Sequence, residues 1–169
     1  MLRSIVAPSF ILGLIGVSGV AAAAAKPNVV LILVDDLGWA DLGCYGSRYY
    51  ETPHLDRLTR QGMRFTDAYA ACAVCSPSRA AVLSGRYPPR HGITTWIRAN
   101  PGLDQHPTGH QPESEFRLLE PLNQYWMDLG EITVAELLKS AGYATCHIGK
   151  WHLGDKKWHP DRQGFDFNI

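Results

Sequence analysis

Asn28-Val29-Val30-Leu31-Ile32-Leu33-Val34-Asp35-Asp36 is the stretch on which the fold turns. An unbroken apolar run rich in β-branched residues reads as a strand buried on both faces, the pattern of a parallel sheet covered by helices. The run ends in two adjacent carboxylates. At the C-terminal edge of a buried parallel strand such a pair repels itself unless a cation or hydrogen-bond donors neutralise it. That edge is also where open α/β sheets bind ligands, and hard carboxylate oxygens suit Ca²⁺ or Mg²⁺. Taken alone, an Asp-Asp pair that merely opens a loop is the competing reading.

Outward from this run, a Gly- and Tyr-rich loop leads to Thr52-Pro53, which reads as an N-cap followed by proline at the first helical position. The spacing predicts a short helix over 54–61 with Leu55 and Leu58 facing inward and Gly62 closing it. Met63-Arg64-Phe65-Thr66-Asp67-Ala68-Tyr69 alternates and predicts a strand. A connecting loop then delivers Cys75-Ser76-Pro77-Ser78-Arg79. Proline is tolerated in a first helical turn, so Cys75 is expected at or just before a helix N-terminus, with the helix stopping at Gly85. Unpaired N–H groups and the positive dipole end gather there, which suits an anion. Arg79 lies one turn on and can reach back toward the same spot.

Thr133-Val134-Ala135-Glu136 spells a capping box. It predicts a helix with Leu137, Leu138 and Ala141 as the buried stripe and Gly142 as its stop. A strand over 143–148 follows, then Gly149-Lys150-Trp151-His152-Leu153-Gly154. In an extended segment Lys150 and His152 share one side and Trp151 takes the other. A lysine and a histidine side by side can bind anion oxygens and move a proton. The alternative for a lone Lys-x-His is an exposed polar edge. Strands alternating with helices imply a mostly parallel α/β sheet.

The pentapeptide 75–79 resembles the modification signature of the type I sulfatases, Cys-x-Pro-x-Arg, and the block 149–154 resembles the second signature of that family. Four blocks stand in family order, at 28–43, 52–67, 75–92 and 141–154. The resemblance implies an alkaline-phosphatase-like α/β fold, a mostly parallel sheet flanked by helices, of which this chain is the N-terminal portion. It implies that Cys75 is oxidised to formylglycine, an aldehyde that hydrates to a geminal diol. One diol hydroxyl attacks sulfur and expels the alcohol; the second loses its proton, and the hemiacetal collapses to release sulfate. On the same resemblance Asp35 and Asp36 bind the metal, and Cys75, once modified, is both nucleophile and metal ligand. Arg79 holds the diol, and Lys150 and His152 contact sulfate or diol. The implied metal is Ca²⁺, with Mg²⁺ the alternative. The implied partners are a sulfated small molecule or carbohydrate and a formylglycine-generating enzyme during maturation. Two rivals stay open: a related phosphate or phosphonate ester hydrolase, and a secreted binding module whose Cys75 stays a thiol.

The first 25 residues read as a signal peptide. Arg3 gives a positive n-region, 5–20 an apolar h-region, and 21–25 small residues for cleavage. The expected location is therefore secreted or periplasmic, without stable membrane insertion after cleavage; an uncleaved anchor is the competing reading. Residues 26–169 are expected to be the N-terminal part of a longer catalytic domain, inactive alone. Formal net charge is zero, with no basic stripe, so nucleic acid is not an expected partner. Cys72 and Cys75 spell a C-x-x-C, but no second Cys or His pair at zinc spacing accompanies them. Residues 98–130, with Pro101, Pro107, Pro112, Pro121, His106 and His110, read either as a surface loop or as a substrate-selecting lid.

Overall fold

The computed structural model describes residues 26–97, 121 and 123–169. The expected signal peptide, and most of the 98–130 stretch, lie outside the described residues. The chain divides into two units, residues 1–33 and 34–169. In the first, the described residues belong to no helix or strand and are exposed.

Among its described residues the second unit has four α-helices and two short strands. They are α1 (Pro53–Gln61), α2 (Cys75–Ser84), α3 (Pro88–His91), α4 (Val134–Ser140), β1 (Cys146–His147) and β2 (Phe167–Asn168). The strands pair in parallel, with Cys146 opposite Phe167 and His147 opposite Asn168.

Helix α2 begins at Cys75 and ends on Gly85, whose left-handed backbone lets its N–H reach the Ala81 carbonyl at 2.8 Å. Helix α4 starts on the expected capping box. Thr133 Oγ1 accepts from the Glu136 N–H at 3.1 Å, and the Glu136 carboxylate accepts from the Thr133 N–H at 2.7 Å. Helix α1 starts at Pro53 and closes at Gly62 as its spacing predicts, but Thr52 makes no side-chain cap. Its hydroxyl instead joins the loop, accepting from the Gly43 N–H and donating to Asp56.

Several expectations are corrected. Residues 29–34 form no strand and are exposed. A strand exists only as part of a ladder, and β1 and β2, the two strands among the described residues, pair with each other. Residues 63–69 likewise form no strand, and the expected strand over 143–148 contracts to β1. Leu55 and Leu58 are exposed because nothing described packs on that face of α1. In α4 the buried positions are the cap Thr133 and Ala135; Leu137 and Ala141 are exposed and Leu138 is half-buried. The 163–164 turn lies against the first turn of α4, as Gly164 shows. A Cβ there would sit 2.5 Å from the Glu136 backbone nitrogen, and φ is +89°.

The core consists of Ala80, Ile93, Met127, Trp151 and Leu153, with Leu83, Ile97 and Phe165 packed against it. It joins α2 to the 149–154 block, and the Met127 N–H donates to the Leu153 carbonyl at 2.9 Å. One apolar cluster therefore supports both segments that the sequence marks as chemical.

Candidate active site

The geometry begins at the first turn of α2. Cys75 is its first residue, half-buried, and Ser76 and Pro77 behind it are buried. The N–H groups of a first turn have no intrahelical acceptor, and they add their dipole to whatever the Cys75 side chain meets. The thiols of Cys72 and Cys75 are not bridged; all four cysteines are free.

Arg79, one turn along α2, is buried to 8% exposure. Its guanidinium forks: Nη2 lies 3.0 Å from Asp35 Oδ1, and Nη1 donates to the Lys150 carbonyl at 2.6 Å. Lys150 Nζ donates to the other oxygen of Asp35. Three residues from three distant parts of the sequence thus converge on one carboxylate. The hydrogen bond from Lys150, then that from Arg79, holds the Asp35 carboxyl below the usual carboxylate range. Asp36 takes no part. It is exposed, sits at φ +54° and has no hydrogen-bond partner among the described residues.

The block 149–154 alternates as expected at Trp151 and Leu153, both buried, while Lys150 is exposed and His152 half-buried. The expectation that Lys150 and His152 act side by side from an extended strand is corrected. His152 sits at φ +59°, out of the extended region, and the two side chains find different partners. His152 Nε2 meets the carbonyl of Ile97 at 2.7 Å, while its Nδ1 is enclosed without a partner. A carbonyl only accepts, so Nε2 carries the proton. The N–H of Ile97 in turn donates to Ser76 Oγ at 3.0 Å. Below this segment His91 Nδ1 accepts from the Ile93 N–H at 3.2 Å, and burial lowers the pKa of that imidazole.

Of the sequence-derived site residues, the structure brings Asp35, Arg79 and Lys150 into direct contact and gives Cys75 the helix start. It shows no contact from Asp36 to them. Sequence reasoning missed Ser76 and Ile97. The only signal for Ser76 was a small polar residue beside Cys75 at a helix start, and Ile97 acts through its backbone.

Among the described residues no group of three or more His, Cys, Asp or Glu gathers as a metal site. Asp35 and Asp36 nonetheless offer adjacent hard oxygens, a donor chemistry that fits part of a Ca²⁺ or Mg²⁺ shell. A cation bound there would share Asp35 with Arg79 and Lys150.

A profile of the sulfatase family matches residues 27–168. The chain is 47% identical over 147 residues to steryl-sulfatase of Mus musculus, covering 83% of this chain and 21% of that protein. It is 44% identical over 151 residues to N-acetylgalactosamine-6-sulfatase of Canis lupus familiaris, covering 88% and 26% respectively. Among solved structures it resembles Ps i-CgsB in complex with k-i-k-neocarrahexaose, with TM-score 0.62 and 35% identity over 84% of this chain and 27% of that one. The chain therefore spans about a quarter of the length of the proteins it matches.

Proposed function

Because this chain belongs to the sulfatase family, with the alkaline-phosphatase-like α/β fold of that family, we propose that it carries the nucleophile end of a sulfate ester hydrolase whose reactive group derives from Cys75. The observation that carries this reading is the convergence of Arg79 and Lys150 on Asp35 beside the helix that starts at Cys75. Cationic side chains and a helix N-terminus gathered in one place suit a tetrahedral anion.

Cys75, matured to formylglycine by a generating enzyme, presents a hydrated aldehyde at the head of α2. One of its hydroxyls attacks sulfur, and the S–O bond to the alcohol breaks. The second hydroxyl gives up its proton, the C–O bond to sulfate breaks, and the aldehyde is restored. The aldehyde provides an exit that a serine or thiol nucleophile lacks. Arg79 and Lys150 hold anionic oxygens in this scheme. His152 accepts or returns a proton at Nδ1, the nitrogen left without a partner. Asp35 and Asp36 would hold the divalent cation, with the modified Cys75 as a further oxygen ligand. When bound, the cation, Ca²⁺ in preference to Mg²⁺, supplies positive charge against the ester oxygens. The substrate class is a sulfated small molecule or carbohydrate, supported by relatives named for both a steryl and an N-acetylgalactosamine sulfate. Export through the N-terminal segment fits such substrates.

The test is hydrolysis of an aryl sulfate and an aryl phosphate by the full-length protein, beside an intact mass. Conversion of the Cys75 thiol to an aldehyde lowers the mass by about 18 Da, and only the converted form acts by this route. Cys75→Ala abolishes turnover while Cys72→Ala keeps most of it. A thiol mass with full activity sinks the proposal, and preference for the phosphate ester replaces it with the phosphohydrolase reading.

A further inference from the structure

We propose that Ser76 is a positioning residue for His152, acting through the peptide groups of Ile97. The inference rests on the reading that His152 serves the Cys75 site. Ser76 follows Cys75 in the first turn of α2 and is fully buried. Its Oγ accepts the N–H of Ile97 at 3.0 Å. The carbonyl of that same residue accepts from His152 Nε2 at 2.7 Å. Both polar backbone groups of residue 97 are thus committed, one to the turn that presents Cys75 and the other to the imidazole.

This link sets the tautomer. With Nε2–H donated to a carbonyl, the neutral ring keeps its lone pair on Nδ1, which has no protein partner. The base of the side chain is fixed separately. Trp151 and Leu153 are buried on either side, and the backbone of His152 is held at φ +59°, a region histidine enters at a cost. The backbone fixes where the ring starts, and Ile97 fixes where it points. The first turn of α2 therefore supports nucleophile and proton carrier together. Removing the Ser76 hydroxyl leaves the part-buried Ile97 N–H without its acceptor and frees the peptide that orients the ring.

The experiment is a double-mutant cycle on kcat/KM for an aryl sulfate in the full-length enzyme, with rates expressed per converted Cys75 from intact mass. Ser76→Ala is expected to lower kcat/KM roughly ten- to hundredfold, the scale of a misplaced catalytic group. Ser76→Thr keeps most of the activity. In a His152→Ala background, Ser76→Ala costs nothing further. No loss in the single variant, or the same loss in both backgrounds, overturns the proposal. Nitrogen-15 NMR of histidine in the unsubstituted enzyme decides it independently of whether any variant folds: an Nε2–H tautomer for His152 is expected, and Nδ1–H overturns it. An unsubstituted enzyme that turns over no aryl sulfate overturns the functional reading, with the tautomer still deciding the Ser76 link.

Discussion

Arg79 Nη2 lies 3.0 Å from Asp35 Oδ1, closing an ion pair across 44 residues of sequence. The same guanidinium donates to the Lys150 carbonyl, 71 residues the other way. Arg79 is therefore a brace between the carboxylate and the 149–154 block, and its place on α2 ties both to the turn that carries Cys75.

A planar fork makes that brace, and a lysine cannot reproduce it. Arg79→Lys keeps the charge but cannot hold Asp35 and the Lys150 carbonyl at once. In the full-length enzyme it is expected to lower kcat/KM by about a hundredfold. Steady-state kinetics checks this, with Cys75 conversion read by mass so that a maturation defect is separated. Kinetics equal to the unsubstituted enzyme would show that charge alone is needed.

Asp35 and Asp36 make a matched pair of probes. Asp35 takes two cations, whereas Asp36 has no partner among the described residues. Both substitutions to Asn are expected to weaken Ca²⁺ binding, since each removes a charged oxygen ligand. Only Asp35→Asn is expected to lower the thermal midpoint in chelator, because it leaves Arg79 and Lys150 without their counter-charge. Asparagine suits the left-handed backbone of residue 36. Titration calorimetry and thermal denaturation give the two readings. Unchanged Ca²⁺ affinity in both variants removes the pair from the metal site.

What the sequence made legible was local. Pro77 and Gly85 bounded α2, and Thr133 and Glu136 wrote the cap of α4. Each of these is settled within one turn or a few residues. The strands expected over 29–34 and 63–69 failed because a strand needs a partner, which no local pattern supplies. Leu55, Leu58 and Leu137 carried a helical stripe, but a stripe says which face could be buried, not what covers it. At the site, the residue types at Asp35, Arg79 and Lys150 were readable, while their mutual pairing was not. Ile97 was invisible because it acts through its peptide groups, which every residue has.

Asp166 gives a pH dependence with a definite sign. Its Oδ1 lies 2.6 Å from Lys139 Nζ, and its Oδ2 accepts from the Thr145 N–H at 3.0 Å. The lysine first, then the Thr145 amide, pulls its pKa below the ordinary carboxylate value. A depressed folded-state pKa contributes stability that is fully present above the unfolded value, near about 3.9, and is lost as pH falls through the folded one. Asp166→Asn is therefore expected to destabilise at neutral pH and to converge on the unsubstituted protein only once pH has fallen below the folded-state pKa, which lies under the unfolded value. Urea midpoints across that range check it. A constant difference at all pH values would assign the effect to packing instead.

Thr133 joins two elements with one hydroxyl. Its Oγ1 accepts from the Glu136 N–H at 3.1 Å and donates to the Gln163 carbonyl at 2.8 Å, and the residue is fully buried. Gln163 in turn spends its Nε2 on the Met127 carbonyl at 3.1 Å, so the cap of α4 connects to the core beneath the 149–154 block. Thr133→Ala removes an N-cap and strands a buried carbonyl. The cap alone is worth about 1 kcal/mol and an unpaired buried group about 1–3 more. A loss of about 2–4 kcal/mol in equilibrium unfolding is expected, while Thr133→Ser, which keeps the hydroxyl, is expected to lose less than half of that. Because Thr133 touches none of Cys75, Arg79, Lys150 or His152, kcat per folded enzyme is expected to stay unchanged. A kcat that falls with stability in Thr133→Ala would mean that the α4 cap is coupled to the site and does not merely support it.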